Sequence, residues 1–469
     1  MLRSRFCIAQ DEVVMAEHLH FIGIGGSGMS SIAEVALRRG WQISGSDLAA
    51  SATTARLQAL GAQVFIGHAP EQLGDAQRVV VSTAVKADNP ERLAAQARGI
   101  PIVHRAEMLA ELMAGKVAVA VAGAHGKTTT SAMVATVLRA AGHDPTAVIG
   151  AAFPDLGSGA RVGTGPHFVA EADESDGSFL KLPRTLAIIT NVDRDHLDFY
   201  RDFDAILDHF VWFAEGVPET GVVIACADDA GVQALLPRLT RRCTLYGIQA
   251  AEAQIRAADI VPQKPFGWRF TVWRGPACLG PVRLRVPGRH SIYNALAAIA
   301  AGLELGLDFK DVQTGLEMFE NVSRRFQIRG ERNNVLVIDD YGHHPVEIAA
   351  VLDAARSAGR RIILVFQPHR YTRTQHLFAE FVTVLREADV VCIVDIYPAG
   401  ETPLPGVTSA ALAAAVHAAG HPAVQAVGAL DAALPAVTAQ LRPGDVLLTV
   451  GAGNVWQLGE RFLQDAQVC

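Results

Sequence analysis

The sequence predicts an α/β protein of about three domains, built on open, largely parallel sheets. Three observations carry that prediction. Short apolar runs recur along the chain, end in polar or glycine-rich turns, and lead into helical patterns. Two of those turns have phosphate-binding form, GIGGSGMS at residues 23–30 and GAHGKTTT at residues 123–130. The 469 residues suit about three domains of ordinary size. Half of them are hydrophobic and 19% are charged, so cores of that size can be buried.

The first region, residues 18–115, opens with a strand, His18–Ile24. Gly23, Gly25 and Gly28 spell GxGxxG, and a helix is expected from about Met29 to Arg39. A second strand, WQISGSD, ends in Asp47, nineteen residues after Gly28. Further strands are expected at Gln63–Ile66 and Arg78–Ser82. This is a Rossmann-like half: the turn Gly25-Gly26-Ser27-Gly28 would receive a diphosphate at the helix N-terminus. Asp47 would lie near a ribose. A dense glycine turn that only packs helix on strand would look similar.

The second region, residues 116–318, is organised around Val117–Thr130. Val117–Val121 reads as a buried strand that breaks at Gly123. The turn Ala124-His125-Gly126 comes next, and Lys127, Thr128, Thr129 and Thr130 open a helix reaching Gly142. Such a turn presents backbone N–H groups to phosphates, with Lys127 on the terminal ones and a threonine hydroxyl on their magnesium. The usual GxxxxGK[ST] asks for glycine where Val121 stands. Downstream, Val169–Ser175 and Leu186–Asp193 read as strands with polar ends. Glu171, Asp173, Glu174 and Asp176 therefore gather near the expected phosphates, followed by His196. A carboxylate such as Glu171 and the His196 imidazole could each hold magnesium, the imidazole more weakly. Solvated acidic loops and a helix-capping histidine are the plainer readings. His290 and Asn294 open an Ala/Leu-rich helix and suit a base edge, or simply cap the helix.

The third region, residues 319–469, again alternates strand and helix. Strands are expected at Val335–Asp339, Arg361–Phe366, Val390–Asp395 and Val446–Val450. Their ends carry DDYGHHP, QPHRYTRT, DIYPAGE and GAGN along one rim of a sheet. Arg370 and Arg373 come after one strand and His343 after its neighbour, so the two loops can meet around a small ligand. Surface arginines paired with Glu380 or Asp395 are the alternative.

Residues 1–17 read as an N-terminal extension, with Met15 as an alternative start. Arg3 and Arg5 precede no apolar signal core, and no run reaches membrane-span length. Six scattered cysteines form no CxxC pair, which points away from zinc or a disulfide framework and toward a reducing cytoplasm. A net charge of −7 argues against a general nucleic-acid binder.

The segments GIGGSGMS, GAHGKTTT, EADESDGSFL, NVDRDHLD, PGRHSIYNALAA, SRRFQ, DDYGHHPVEI, FQPHRYTRT and DIYPAGE resemble, in order, the motifs of the Mur ligase family of peptidoglycan-precursor synthesis. The resemblance implies the three-domain Mur ligase architecture. An N-terminal Rossmann-like domain would take UDP-N-acetylmuramate, a central P-loop domain ATP and Mg2+, and a C-terminal Rossmann-like domain an amino acid. GIGGSGMS and FQPHRYTRT are most similar to the branch that joins L-alanine to the sugar nucleotide through an acyl phosphate. The resemblance further implies a cytoplasmic monomer or weak homodimer that binds neither nucleic acid nor membrane.

Carried over position by position, the resemblance implies that Gly123, Ala124, His125, Gly126, Lys127, Thr128 and Thr129 surround the ATP phosphates. Thr128, Glu171 and His196 would hold magnesium. His290 and Asn294 would meet adenine, Asp340 the ribose, and Arg325 phosphate. His343, Arg370 and Arg373 would lie near the amino acid. Lys127, Glu171, His196 and Arg325 are the implied catalytic set. Two positions depart from the family pattern: Ala124 replaces a threonine, and Ser291 replaces an asparagine. No lysine lies between Lys181 and Lys264, so the carbamoylated lysine of some sister ligases is absent.

Three other readings use part of the same sequence. An NAD-dependent dehydrogenase would use GxGxxG and Asp47 but leave GAHGKTTT idle. A non-catalytic nucleotide sensor would bind ATP without releasing phosphate. A recycling ligase of the same family would add a preformed tripeptide to the same sugar nucleotide.

Overall fold

The computed structural model describes residues 17–153, 156–196 and 199–464. The N-terminal extension up to residue 16 (with Met15), Cys469, and Leu197 and Asp198 of NVDRDHLD lie outside the described residues. The chain divides into two compact units, Met1–Ala114 and Gly115–Cys469.

The first unit holds a five-stranded sheet of β1 (His18–Ile22), β2 (Gln42–Asp47), β3 (Gln63–Ile66), β4 (Arg78–Val81) and β5 (Ile102–His104). The order is β3-β2-β1-β4-β5, with every pair parallel. The order reverses between β1 and β4, so the turn after β1 sits at the switch point where such sheets bind ligands. β1 stops at Ile22, earlier than expected, because Gly23 turns the chain at φ +76°. The helix Ser27–Arg38 begins just beyond.

The second unit holds two sheets. The larger takes β6 (Val117–Ala122), β7 (Thr146–Phe153), β8 (Ser158–Arg161), β9 (His167–Glu171), β10 (Leu186–Ile189), β11 (Val222–Cys226), β12 (Cys243–Gly247), β13 (Ile255–Pro262), β14 (Trp268–Arg274) and β15 (Ala277–Leu284). Its order is β15-β14-β13-β12-β11-β10-β6-β9-β7-β8. The central strands are parallel, while β13, β14 and β15 continue it as antiparallel hairpins. The smaller sheet takes β16 (Gln327–Arg332), β17 (Val335–Asp340), β18 (Ile362–Phe366), β19 (Val390–Val394), β20 (Val424–Gly428) and β21 (Val446–Val450), in the order β16-β17-β21-β18-β19-β20. Only β16 is antiparallel. Strands such as VAVAVA and IILVF are apolar throughout, and VLLTV is so but for Thr449, because helices cover both faces.

Two strands end sooner than their sequence suggests. β9 stops at Glu171 and β10 at Ile189, leaving Asp173–Asp176 and Asn191–His196 in loops. Carboxylates cannot enter the buried ladder without partners, so they collect at its rim.

Three helices anchor the loop after β6. The helix Lys127–Ala140 lies against His290–Glu304 and Phe309–Met318 with buried apolar faces. A Cβ on Gly315 would fall 2.6 Å from the Val137 Cα, and one on Gly302 would fall 2.7 Å from Val312. Gly315 therefore lets its helix approach the Val137 backbone, and Gly302 leaves room for the Val312 side chain. Among the described residues no helix is long and apolar enough to cross a membrane.

Candidate functional site

In the first unit the glycine turn is braced from within. Gly25 N–H donates to Asp47 Oδ2 at 2.8 Å, and a Cβ on Gly25 would meet that oxygen. Asp47, expected beside a ribose, is thus also a strut of the turn. Gly26 is the N-cap of the helix Ser27–Arg38 and makes no side-chain cap, which leaves the helix N-terminus available to an anion. A Cβ built on Gly28 would lie 3.3 Å from Arg105 Nη1, so a guanidinium that sequence reading overlooked sits beside the turn.

In the second unit the loop after β6 has the strained form its glycines permit. Gly123 has φ +134° and its missing Cβ would collide with Thr190 Oγ1. Gly126 has φ +81°, and a Cβ there would lie 2.6 Å from Asn294 Oδ1. The loop is pinned from β10: His125 N–H donates to Asn191 Oδ1 at 2.8 Å, while Thr190 Oγ1 and Asn191 Nδ2 donate to the His125 carbonyl.

Lys127 folds back over this loop. Its Nζ donates to the carbonyls of Gly123 and Ala124 and to Glu174 Oε1 at 2.9 Å. Burial alone would lower its pKa, but Glu174, Asp173 and Glu171 outweigh that and hold the ammonium charged. Ala124 contributes only its carbonyl, so the departure from threonine costs the loop nothing visible. Thr128 Oγ1 donates to Glu171 Oε2 at 2.9 Å, and Gly150 N–H donates to the same oxygen at 2.7 Å. Thr128 and Glu171 thus stand together. His196 stands nearby, at φ +54°, with Nε2 3.8 Å from Glu174 Oε1 and 3.6 Å from Asp195 Oδ2.

Among the described residues His125, Asp193 and His344 are three imidazole and carboxylate donors close enough to share a cation. This trio does not suit magnesium, which prefers oxygen. His344 spends Nδ1 on the Val346 N–H at its helix cap. His125 already carries a proton: burial would lower its pKa, but Asp193 and Glu347 raise it to about 9.

Beside the loop lies a cavity of about 380 Å³. His125, Gly126, Thr129, His290, Asn294, Arg325 and Asp340, all singled out in the sequence, line it. Tyr246, Val286 and Pro287 supply apolar wall, the balance expected of a pocket for a flat heterocycle. Burial, reinforced by Arg325, lowers His290 to about 4 and keeps it neutral. Burial raises Asp340 to about 6, although its oxygens accept from Phe326 N–H and Gly342 N–H, both at 2.6 Å. The Arg325 guanidinium lies 3.7 Å from Glu347 Oε1 and 5.5 Å over the Tyr341 ring.

Arg370 and Arg373 line a separate small pocket with Asp195 and His196. Their partners differ from the alternatives considered from sequence. Arg370 Nε is 3.0 Å from Glu401 Oε1, and Arg373 Nη2 is 3.8 Å from Asp195 Oδ1. Arg373 Nη1 also donates to His369 Nδ1 at 3.1 Å. His343 stands one ring away, 5.8 Å from His369, and burial lowers it to about 4. The two loops therefore do meet.

Sequence reading assigned no role to Glu347, Asp193, Asp195 or His369. For Glu347 a signal existed: His344 with Glu three residues later has the spacing of a capping box, which the structure contains. For Asp193 and Asp195 the signal was only their place at a strand end.

Three family models match the chain: "Mur ligase family, catalytic domain" over residues 18–117, "Mur ligase middle domain" over 121–302, and "Mur ligase, glutamate ligase domain" over 324–453. The chain is 50% identical over 449 residues to a UDP-N-acetylmuramate–L-alanine ligase of Geobacter sp. (strain M21), covering 95% of this chain and 97% of that one. It is 51% identical over 450 residues to the protein of the same name from Solibacter usitatus, covering 96% and 95%. Its fold is similar to the crystal structure of a UDP-N-acetylmuramate-alanine ligase from Thermotoga maritima, with TM-score 0.82, 29% identity, and 95% and 98% of the two chains covered. A murein peptide ligase from Psychrobacter arcticus is similar at TM-score 0.73 and 25% identity, covering 96% and 98%.

Proposed function

The chain belongs to the Mur ligase family, and from that premise we propose that it joins L-alanine to the lactyl carboxylate of UDP-N-acetylmuramate at the expense of ATP, in peptidoglycan synthesis. The observation that carries this reading is end-to-end similarity, at about half identity, to proteins named for that reaction.

In this reading the three regions divide the labour. Residues 18–115 take the sugar nucleotide, with its diphosphate on Gly25-Gly26-Ser27-Gly28. Residues 116–318 take ATP, and residues 319–469 the amino acid. An amine cannot convert a carboxylate to an amide directly, because oxide would have to leave. Transfer of the γ-phosphoryl group to the lactyl carboxylate gives an acyl phosphate. The L-alanine amine then attacks the carbonyl carbon, and phosphate departs.

The protein's part is to position the reactants and neutralise charge. Lys127 tracks the phosphoryl group as a mobile cation, and Arg325 faces it from the cavity wall. His290 and Asn294 meet the base, and Asp340 the ribose. Arg370, Arg373 and His343 hold the amino acid. Thr128, Glu171 and His196 would hold Mg2+, and the oxygen pair Thr128–Glu171 suits a hard cation. Bound there, the ion supplies positive charge to the phosphate oxygens. A nucleotide sugar and ATP are substrates of the cytoplasm, which is the compartment this reading assigns to the reaction, carried out by a monomer or weak homodimer.

The test is phosphate release from ATP with UDP-N-acetylmuramate and a panel of L-alanine, glycine, L-serine and the preformed tripeptide. Release that depends on L-alanine supports the reading. Release only with the tripeptide would assign the recycling reaction, and NAD binding without ADP formation a dehydrogenase.

A further inference from the structure

Glu347 is a buried carboxylate whose two oxygens face different ways. Oε2 accepts the N–H groups of His343 at 2.9 Å and His344 at 3.3 Å, closing the N-terminus of the helix Pro345–Arg356. Oε1 lies 3.6 Å from His125 Nδ1 and 3.7 Å from Arg325 Nη1. The first of these cations belongs to the phosphate loop, the second to the segment between the two sheets of the unit, and Glu347 itself lines the same cavity. A helix cap needs one oxygen. The other is spent where two cations meet beside the nucleotide pocket.

We propose that Glu347 is a positioning residue for the nucleotide: one buried carboxylate sets the orientation of His125 and Arg325 while holding the backbone at His343 and His344. This rests on the ATP-dependent reading above. Two like charges so close would repel without an anion between them. His125 would then lose its orientation toward Asp193, and Arg325 its aim into the cavity. Around His125 the other groups are Asp193, 3.2 Å from Nε2, the His344 ring at 4.9 Å, and His290 across the cavity. Glu347 is held ionised against its burial, with the His125 and Arg325 cations beside Oε1.

Glu347→Gln separates the two roles. Its amide oxygen can still accept the cap N–H groups, but its amide nitrogen can offer the cations no charge. ATP affinity, measured by calorimetry, is expected to fall roughly tenfold, with UDP-N-acetylmuramate affinity held within about twofold. In turnover the KM for ATP should rise more than that for L-alanine. The His125 signal in 13C-histidine-labelled enzyme, assigned with His125→Gln, should titrate at lower pH in the variant. Glu347→Ala, which also removes the cap, should lower thermal stability further than Glu347→Gln does.

Unchanged ATP affinity and unchanged His125 titration in Glu347→Gln would overturn the proposal and leave Glu347 a cap alone. So would an equal loss of affinity for both nucleotides. A wild-type enzyme that released no phosphate with L-alanine would instead sink the assigned reaction, while the ATP and histidine titrations would still decide the role of Glu347.

Discussion

Lys127 Nζ rests on Glu174 Oε1 at 2.9 Å, within the loop it is expected to leave when phosphate arrives. The same ammonium also caps the Gly123 and Ala124 carbonyls. Phosphate oxygens would replace these oxygens one for one, so the lysine is held charged and close. Lys127→Ala should keep the fold and lower turnover by on the order of a hundredfold or more. Circular dichroism and single-turnover phosphate release check both halves, and near-normal turnover would contradict the assignment.

Glu171→Ala and His196→Ala should each raise the magnesium concentration needed for half-maximal rate. The Glu171 effect should be larger, because an anionic oxygen is the better ligand and because Glu171 also holds Thr128 and Gly150 N–H in place. Magnesium titrations that overlay wild type would make both residues structural.

Gly26→Val should weaken UDP-N-acetylmuramate binding and spare ATP. Gly26 has φ −62°, which valine tolerates, and a Cβ there meets nothing closer than the Gly23 carbonyl at 3.4 Å. The fold should therefore survive while the side chain blocks approach to the helix N-terminus. Calorimetry with each nucleotide reads the split.

Arg370→Lys and Arg373→Lys should raise the L-alanine requirement or lower turnover, since lysine keeps charge but loses the planar fork. At least one should leave both nucleotide affinities nearly unchanged. Arg373 also donates to His369 and approaches Asp195, so its loss should be the more costly. Wild-type L-alanine kinetics in both variants would place the acceptor pocket elsewhere.

His125 links stability to pH. Its folded pKa, about 9, lies above the ordinary histidine value of 6.5. Its contribution to stability is therefore complete below about 6.5 and is lost as pH rises through about 9. Calorimetric Tm values between pH 6 and 10 should fall less steeply in His125→Gln than in wild type. Parallel curves would show that the ring is not held charged.

The sequence made the fold legible wherever strands are buried on both faces. VAVAVA, IILVF and VLLTV announce themselves as apolar runs, and the glycine turns mark where their helices begin. The β13–β15 hairpins were not legible. Trp268, Phe270 and Val272 alternate with Arg269, Thr271 and Trp273, so no continuous run marks them. At the candidate site, residues carried by a motif could be singled out from the sequence. Those defined by the company they keep in space could not: Glu347 acquires its meaning from His125 and Arg325, which are remote in sequence, and Asp195 from Arg373. One-dimensional spacing holds no record of such meetings.

The glycine contacts behind the phosphate loop also bear on synthesis at the ribosome. Gly315 sits where a Cβ would touch the Val137 backbone, and Gly302 where one would touch the Val312 side chain. A nascent chain that has emerged only through β15 carries the whole loop and its lysine but not the two helices that clamp the loop's own helix. Until those arrive, the face of Lys127–Ala140 that they cover is bare. On the proposed reading the nucleotide site is thus a late product of translation, and ATP added to stalled chains should protect from proteolysis only those that extend past Met318.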